Sequence, residues 1–242
     1  MQSNASLPDP ENTSRRLLEK IGVDSIPIDV HGVEKIWKGL TIVEKEIDGP
    51  GYLIPLGKIG AEIIVRGADP IERKRFTIAH EVGHWVLGIT CERKMGEFRQ
   101  PPGVRRDVIE KWCDTFAASF LVPRHILIDY FRDVHEAVLI ARLAASPKHF
   151  RVSEDAMFLR VYDVLGMRVA YVDTRSRAIV RAFVPDSAVP DLTRVLTMPE
   201  IIDCGHVDTL TLRLLVGTVR FQCSWRRAQN SAKTLFLLYP AP

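Results

Sequence analysis

The chain has 242 residues, of which 46% are hydrophobic and 26% charged, and these values exclude fibrous, collagen-like and wholly disordered proteins. A formal charge of +3 is too small to indicate a dedicated nucleic-acid binder. The length predicts one large domain or two small ones, each with a hydrophobic core.

Two features of the sequence argue against export and membrane insertion. No apolar run reaches the roughly 18 residues of a membrane helix, and the first residues lack both the basic region and the apolar core of an export signal. The four cysteines form no C-x-x-C pair, so we interpret Cys91, Cys113, Cys204 and Cys223 as free thiols. We therefore expect a cytoplasmic protein without a membrane partner.

The first part of the chain predicts a tail, two helices and several short strands. Residues 1–14 contain little to bury, which predicts a disordered tail. Helical spacing begins at Ser14, and a second helix is expected after Pro27. Residues 40–66 favour strands, the last of them over 61–66 (AEIIVR). At a sheet edge that strand would pair with an extended peptide; a strand that merely closes the sheet is an equal alternative.

Two longer helices are predicted next. Asp69 is expected to cap the first of them, which should end near Leu87. The second covers residues 105–122 and stops at Pro123, because proline does not continue a helix. Apolar residues spaced three and four apart predict its buried side: Ile109, Trp112, Phe116 and Phe120. Further helix is expected up to residue 167 and strands beyond it.

The first of these helices contains the sequence His80-Glu81-Val82-Gly83-His84. Positions four apart share one face of a helix, so both imidazoles can meet one ion. Zinc in a hydrolytic site takes three protein ligands and a water. Glu81 lies where its carboxylate can accept a proton from that water and pass it to the leaving amine. The alternative is a buried, hydrogen-bonded histidine pair without a metal.

The second helix offers the missing ligand. Glu110 and Asp114 stand four apart and share a face away from the apolar side. One carboxylate can bind zinc while the other accepts the remaining N–H of a ligand histidine, which favours Glu110 as ligand and Asp114 as its support. A solvated acidic face is the alternative interpretation. Asp107 and Glu97 are less favoured as ligands.

Three segments resemble the ImmA/IrrE metallopeptidases. RFTIAHEVGHWVLG (75–88) and EKWCDTFAASFLVP (110–123) are similar to the two metal-binding helices of that family, and PIDV (27–30) is similar to its early P-x-D-V segment. Together they span about residues 15–123. Cys113 departs from the small residue favoured by the family, and we expect it to be a packing residue. Asp114 stands where the family often has Asn.

The resemblance implies a zincin-like mechanism. It makes His80, His84 and Glu110 the ligands of a Zn²⁺ cofactor and Glu81 the catalytic base. It further implies an intracellular endopeptidase whose protein substrate is a DNA-binding repressor of the helix-turn-helix type, in stress or mobile-element regulation. The oxyanion-stabilising residue stays open; Tyr52 and nearby arginines are candidates.

The resemblance also implies an α+β fold with four parts. These are the disordered tail, a peptidase core over 15–125 with a small sheet packed on helices, a helical segment over 126–167 and a β-rich module over 168–242. The helical segment is similar to a helix-turn-helix, with Arg160 on its second helix, but that helix is acidic and DNA binding is therefore less favoured. The last module is expected to serve sensing or dimerisation.

Two other functions stay open. One is a regulatory or binding module in which the metal is structural and noncatalytic. The other is a DNA-binding transcriptional regulator that uses Arg160. Isolated His206, near Cys204, and the basic residues around Trp225 are interpreted as structural or solvated rather than as a second metal site or a nucleic-acid patch.

Overall fold

The computed structural model describes residues 7–23, 25–56, 60–88, 104–173, 178–183, 210–216, 219–227 and 233–240. They form two compact units: the residues up to Ile126 together with Lys148–Ser153, and Leu127–Pro147 together with the residues from Glu154 onwards. The described ranges do not include four residues interpreted above: Cys91, Glu97, Cys204 and His206. No helix within the described ranges is both long and apolar enough for a membrane span.

Seven helices and eight strands lie in the described part of the chain. The helices are α1 (Pro10–Ile21), α2 (Val33–Ile36), α3 (Ile71–Val86), α4 (Arg106–Leu121), α5 (Arg124–Phe131), α6 (Glu136–Phe150) and α7 (Glu154–Leu165). The strands are β1 (Leu40–Lys45), β2 (Gly51–Pro55), β3 (Ala61–Arg66), β4 (Arg168–Asp173), β5 (Ala178–Phe183), β6 (Leu210–Val216), β7 (Val219–Arg227) and β8 (Lys233–Pro240). A 3-10 turn, Val30–Gly32, leads directly into α2.

The first unit contains a three-stranded sheet in the order β1-β3-β2, with β1 parallel and β2 antiparallel to β3. Helix α3 contacts β2 and β3. Buried Leu53 lies opposite Ile63 in this sheet, and Val65 is also fully covered. This mixed α+β arrangement, a small sheet packed on helices, agrees with the predicted fold of the peptidase core.

The expected edge position of strand 61–66 is wrong. Its predicted bounds match β3, yet β3 is the central strand and pairs on both sides. Its burial pattern explains the position: Ile63, Ile64 and Val65 are all buried, as expected for a strand covered on two faces. The edge strand that lies beside α3 is β2.

Helix α1 begins at Pro10 and not at Ser14, so residues 10–14 of the expected tail are helical. The Asp9 side chain accepts a hydrogen bond from the backbone N–H of Asn12, and proline at the first helical position costs no donor. The helix contacts α4, where the Trp112 indole N–H donates to the carbonyl of Pro8. These contacts order a segment whose composition alone suggests disorder.

Helices α3 and α4 follow their predicted bounds closely and pack against each other. Trp112, Phe116 and Phe120 stack along α4, with ring centroids 5.4 and 5.9 Å apart. Asp69 is not the N-cap of α3: Pro70 occupies that position without a side-chain hydrogen bond. The Asp69 carboxylate pairs instead with Arg73 Nε at 3.3 Å.

The second unit combines helices with a five-stranded antiparallel sheet in the order β5-β4-β8-β7-β6. Helix α7 contacts β4 and β5, where Phe158 meets Phe183 edge-on with centroids 6.4 Å apart. Arg160 is buried, with 5% of its surface exposed. This burial argues further against contact of Arg160 with a phosphate, in line with the less favoured DNA-binding interpretation.

Candidate functional site

The packing of α3 on α4 brings together the residues expected to form a metal site. The Nε2 atoms of His80 and His84 are 3.1 Å apart. Oε2 of Glu110 lies 3.3 Å from the His80 Nε2 and 3.6 Å from the His84 Nε2. Asp114 approaches the other side of the His80 ring, with 2.9 Å between Oδ1 and Nδ1. The two i, i+4 pairs thus face each other across the helix interface.

The spacing of these donor atoms fits a tetrahedral metal ion. Zinc binds imidazole nitrogen and carboxylate oxygen at about 2.0–2.2 Å, and a tetrahedron of that size separates its ligands by about 3.4 Å. The three observed separations, 3.1, 3.3 and 3.6 Å, lie around this value. Burial and the neighbouring His80 lower the pKa of His84, which favours the neutral imidazole that binds metals. The residues present therefore fit a zinc ion.

Asp114 orients His80. Because the His80 Nε2 faces Glu110, the Nδ1–H is the group that donates to Asp114. Burial lowers the pKa of His80, but the hydrogen bond to Asp114 and the nearby carboxylates outweigh it, and the net effect raises that pKa. The predicted supporting role of Asp114 has the geometry that it requires.

An Asp114→Asn variant is expected to bind zinc about tenfold more weakly, because an amide oxygen accepts the His80 N–H without the charge of a carboxylate. Titration of the purified variant against a zinc-competing chelator measures this change. Asp107→Asn is the matched control, since Asp107 lies on the same helix but pairs with Arg105 and does not face the histidines. Equal affinities in the two variants would contradict the orienting role.

Glu81 faces the cavity beside the metal-binding atoms, and its carboxyl group is held by the sheet. Burial raises the pKa of Glu81 to about 7, and Glu110 adds to the effect, whereas His80 and a backbone hydrogen bond from Leu53 oppose it. A carboxyl group with that pKa exchanges a proton near neutral pH. The hydrogen bond from Leu53 was not foreseen, because it joins residues of β2 and α3 that sequence spacing does not relate.

The raised pKa of Glu81 predicts a pH-dependent stability of the metal-free protein. Below about pH 4.5 the carboxyl is protonated in both the folded and unfolded states, and the burial penalty is absent. As the pH rises toward 7 the unfolded state ionises first, so the folded state loses stability. A Glu81→Gln variant does not undergo this loss. Denaturant unfolding should show that the stability of the variant relative to wild type is about 3 kcal/mol higher at pH 8 than at pH 4.

The control for this measurement is Glu154→Gln, which removes an exposed carboxylate at the start of α7. Its free energy of unfolding relative to wild type should change little between pH 4 and pH 8. A pH-independent difference between wild type and Glu81→Gln would show that burial does not raise the pKa of Glu81.

Gly83 and Cys113 explain how closely the two helices approach. A Cβ atom on Gly83 would lie 3.2 Å from Phe116 Cδ1 and 3.4 Å from the Cα of Cys113. Cys113 is fully buried, as expected of a packing residue. Its sulfur also lies within 4.8 Å of a ligand nitrogen of each histidine, so Cys113 is an alternative to Glu110 as the third metal ligand. Burial raises the pKa of its thiol, with Glu110, Glu81 and Asp114 adding to the effect.

A cavity of about 610 Å³ opens over these groups. Strand β2 forms one wall, and Gly51 permits its approach, because a Cβ there would lie 2.5 Å from Thr77 Cγ2 and 2.6 Å from the Ile64 carbonyl. Helices α3 and α4 form the rest of the lining. The lining residues are Pro50, Gly51, Tyr52, Leu53, Arg73, Phe76, Thr77, His80, Glu81, His84, Arg106, Glu110 and Asp114.

Several lining residues were absent from the sequence-based prediction. Arg73 and Thr77 lie seven and three positions before His80, on the same stripe of α3, and Arg106 lies one turn before Glu110 on α4. The same helical spacing that identified the ligands would therefore have identified these residues. Tyr52 also lines the cavity, and its role as an oxyanion-stabilising residue stays a prediction.

Comparison with known proteins gives a family match and a similar fold. The family model Peptidase_M78, described as IrrE N-terminal-like domain, matches residues 40–162, a little more than half of the chain. A solved structure named Mycobacterium tuberculosis transcriptional regulator is similar with a TM-score of 0.52 and 10% identity, over 98% of this chain and 77% of that chain. At that identity the likeness concerns the fold alone. No curated protein matches the sequence.

Proposed function

We propose that this chain, which belongs to the IrrE-like family of metallopeptidases, is a zinc-dependent endopeptidase that cleaves another protein. The observation that carries the proposal is the triangle of His80, His84 and Glu110, whose donor atoms are separated by 3.1–3.6 Å. Hydrolytic zinc sites have three protein ligands and one further position for water, and these three residues would supply such a ligand set.

The contacts indicate the role of each residue in the proposed reaction. His80, His84 and Glu110 would hold the zinc ion, which would supply a Lewis acid for the scissile carbonyl and the attacking water. The Glu81 carboxylate accepts the proton of the attacking water and delivers it to the departing amine. Asp114 keeps the His80 Nε2 directed at the site through its hydrogen bond to Nδ1.

Strand β2 is the surface that we assign to substrate. It pairs with β3 on one side and lines the cavity with Gly51, Tyr52 and Leu53. An extended peptide that adds to such a strand places its carbonyl groups along the cavity. The role expected for strand 61–66 is thus assigned to its neighbour. Peptide addition to β2 favours cleavage within an exposed, extended segment of the substrate protein.

The proposed substrate is a DNA-binding repressor in stress or mobile-element regulation. Family membership supports this choice, and one protein with a similar fold is named a transcriptional regulator. Neither identifies the repressor. The substrate therefore has to be found by its cleavage in cells.

The test compares new protein N-termini in cells that express wild type with those in cells that express Glu81→Gln, with and without DNA-damaging or oxidative stress. We expect termini confined to the wild type and concentrated in one transcription factor. If the two sets agree under every condition while the purified protein holds zinc, the noncatalytic metal module becomes the better description.

The DNA-binding alternative has lost its main support. It depends on Arg160 reaching a phosphate, whereas this side chain is buried within the second unit. DNA affinity that depends strongly on salt and decreases in Arg160→Ala would restore that alternative. The structural-metal alternative does not explain why Glu81, which is not among the donor triangle, faces the same cavity.

A further inference from the structure

We propose that Arg73 and Arg106 make this peptidase selective for substrate segments with acidic side chains on both sides of the scissile bond. The inference rests on the proposed function and specifies its substrate class. Both arginines line the cavity, one on α3 and one on α4. Arginine recognises carboxylates through paired N–H donors, which gives direction as well as charge.

An ion pair with Asp69 holds Arg73 in place. Its Nε lies 3.3 Å from Oδ2 of Asp69, whose side chain is only 11% exposed, while the Arg73 side chain itself is 64% exposed. The ion pair uses Nε of Arg73, and the exposed Arg73 side chain lines the cavity. An anchored but accessible guanidinium loses less conformational freedom on binding a carboxylate than an unanchored one.

Arg106 shares Glu110 with the histidines. Its Nε lies 3.5 Å from Oε1 of Glu110, whereas Oε2 of the same carboxylate faces the His80 and His84 nitrogens. Arg106 is 64% exposed, like Arg73. Its guanidinium therefore lies beside the donor triangle and borders the cavity.

Arg73 and Arg106 are the basic side chains of the cavity lining other than the two histidines. The Glu110 carboxylate belongs to the metal site, and the Asp114 carboxylate accepts the His80 N–H. A divalent cation adds two positive charges to the same cavity. Among the lining residues, the two arginines and a bound divalent cation would carry four positive charges against three negative ones on Glu81, Glu110 and Asp114. The surplus of one positive charge attracts acidic peptides and repels basic ones.

The two arginines lie on opposite sides of the metal-binding residues. His80 meets Asp114 and His84 meets Glu110, so residue numbers rise along α3 as they fall along α4. Arg73 precedes His80 by about 10 Å of helix, and Arg106 precedes Glu110 by about 6 Å in the opposite direction. An extended peptide advances about 3.3 Å per residue. Each acidic side chain is therefore expected within about four residues of the scissile bond.

Cleavage-site profiling of a peptide library tests this directly. A proteome-derived library is incubated with zinc-loaded, full-length wild type, and the residues around each new cut are counted. Asp and Glu should be enriched on both sides at least about threefold over the library. Arg73→Gln should lose the enrichment on one side and Arg106→Gln on the other. Absence of enrichment in the wild type, or enrichment unchanged in both variants, overturns the proposal.

Two further variants test whether the loss of the acidic preference comes from the arginine side chain itself and not from a general effect of removing an arginine. Arg105→Gln is the matched control, because Arg105 is 81% exposed and pairs with Asp107 outside the cavity. It should keep both preferences, and loss of either preference in this control overturns the proposal. Arg73→Lys retains the positive charge next to Asp69 and should restore most of the preference lost in Arg73→Gln.

A binding experiment keeps the inference testable without turnover. Zinc-loaded Glu81→Gln is titrated with fluorescent (Glu-Ala)5 and (Gln-Ala)5 peptides at low salt. The acidic peptide should bind about fivefold more tightly, and the preference should vanish when Arg73→Gln and Arg106→Gln are added. Equal binding of the two peptides overturns the specificity. Preferential binding together with no cleavage by wild type supports the specificity and refutes the peptidase assignment.

Discussion

Replacement of Glu81 by Gln is expected to reduce peptide cleavage by the zinc-loaded protein by about a thousandfold while leaving its zinc content unchanged. The amide has nearly the size of the carboxylate but cannot accept a proton from water. Because Glu81 is not part of the donor triangle of His80, His84 and Glu110, the metal has no ligand to lose. Measurement of kcat/KM on a cleaved peptide checks the loss of activity, and quantification of zinc in the same preparation checks the unchanged metal content.

Two further variants serve as controls for the effect of Glu81→Gln. His84→Ala should lose both zinc and activity, because it removes a donor atom from the triangle. Glu81→Asp retains a carboxylate but withdraws it by about one bond length, and it should be intermediate in rate. Undiminished cleavage by a pure Glu81→Gln preparation would exclude Glu81 as the base. Loss of zinc in that variant would show that Glu81 contributes to the metal site itself.

The approach of the candidate metal ligands was predictable from helix periodicity. His80 and His84 share a face by their spacing, as do Glu110 and Asp114, and Pro123 marks the end of the second helix. Strong apolar periodicity then determines which side of each helix is buried. The pairing of the two faces follows from these local rules and needs little knowledge of the remaining fold.

Other features depend on contacts between residues distant in sequence. The central position of β3 follows from its pairing with both β1 and β2, which the strand sequence alone does not contain. The helical state of residues 10–14 depends partly on contacts with α4. Arg160 resembles an exposed basic residue in sequence, and only the packing of α7 shows that it is buried.

Replacement of the third metal ligand is expected to cause a large loss of zinc affinity. Glu110→Gln should weaken zinc binding by more than about a hundredfold, whereas Cys113→Ala should leave it unchanged. The reason is distance: Oε2 of Glu110 lies at 3.3 and 3.6 Å from the two histidine nitrogens, close to a tetrahedral edge. The Cys113 sulfur is placed only within 4.8 Å of the histidine donor atoms. Competition with a chelator measures both affinities.

Cobalt provides a readout of the ligand atoms that does not depend on activity. A thiolate bound to Co²⁺ produces strong sulfur-to-metal absorption in the near ultraviolet, which an N/O site lacks. The cobalt-loaded wild type should lack that absorption, and Cys113→Ala should leave its spectrum unaltered. Sulfur-to-cobalt absorption that disappears in Cys113→Ala would instead make Cys113 a ligand. If Glu110 also bound the metal, all four coordination positions would be filled, Glu81 would have no water to activate and the site would be structural. If Cys113 bound in place of Glu110, the fourth position would stay open to water.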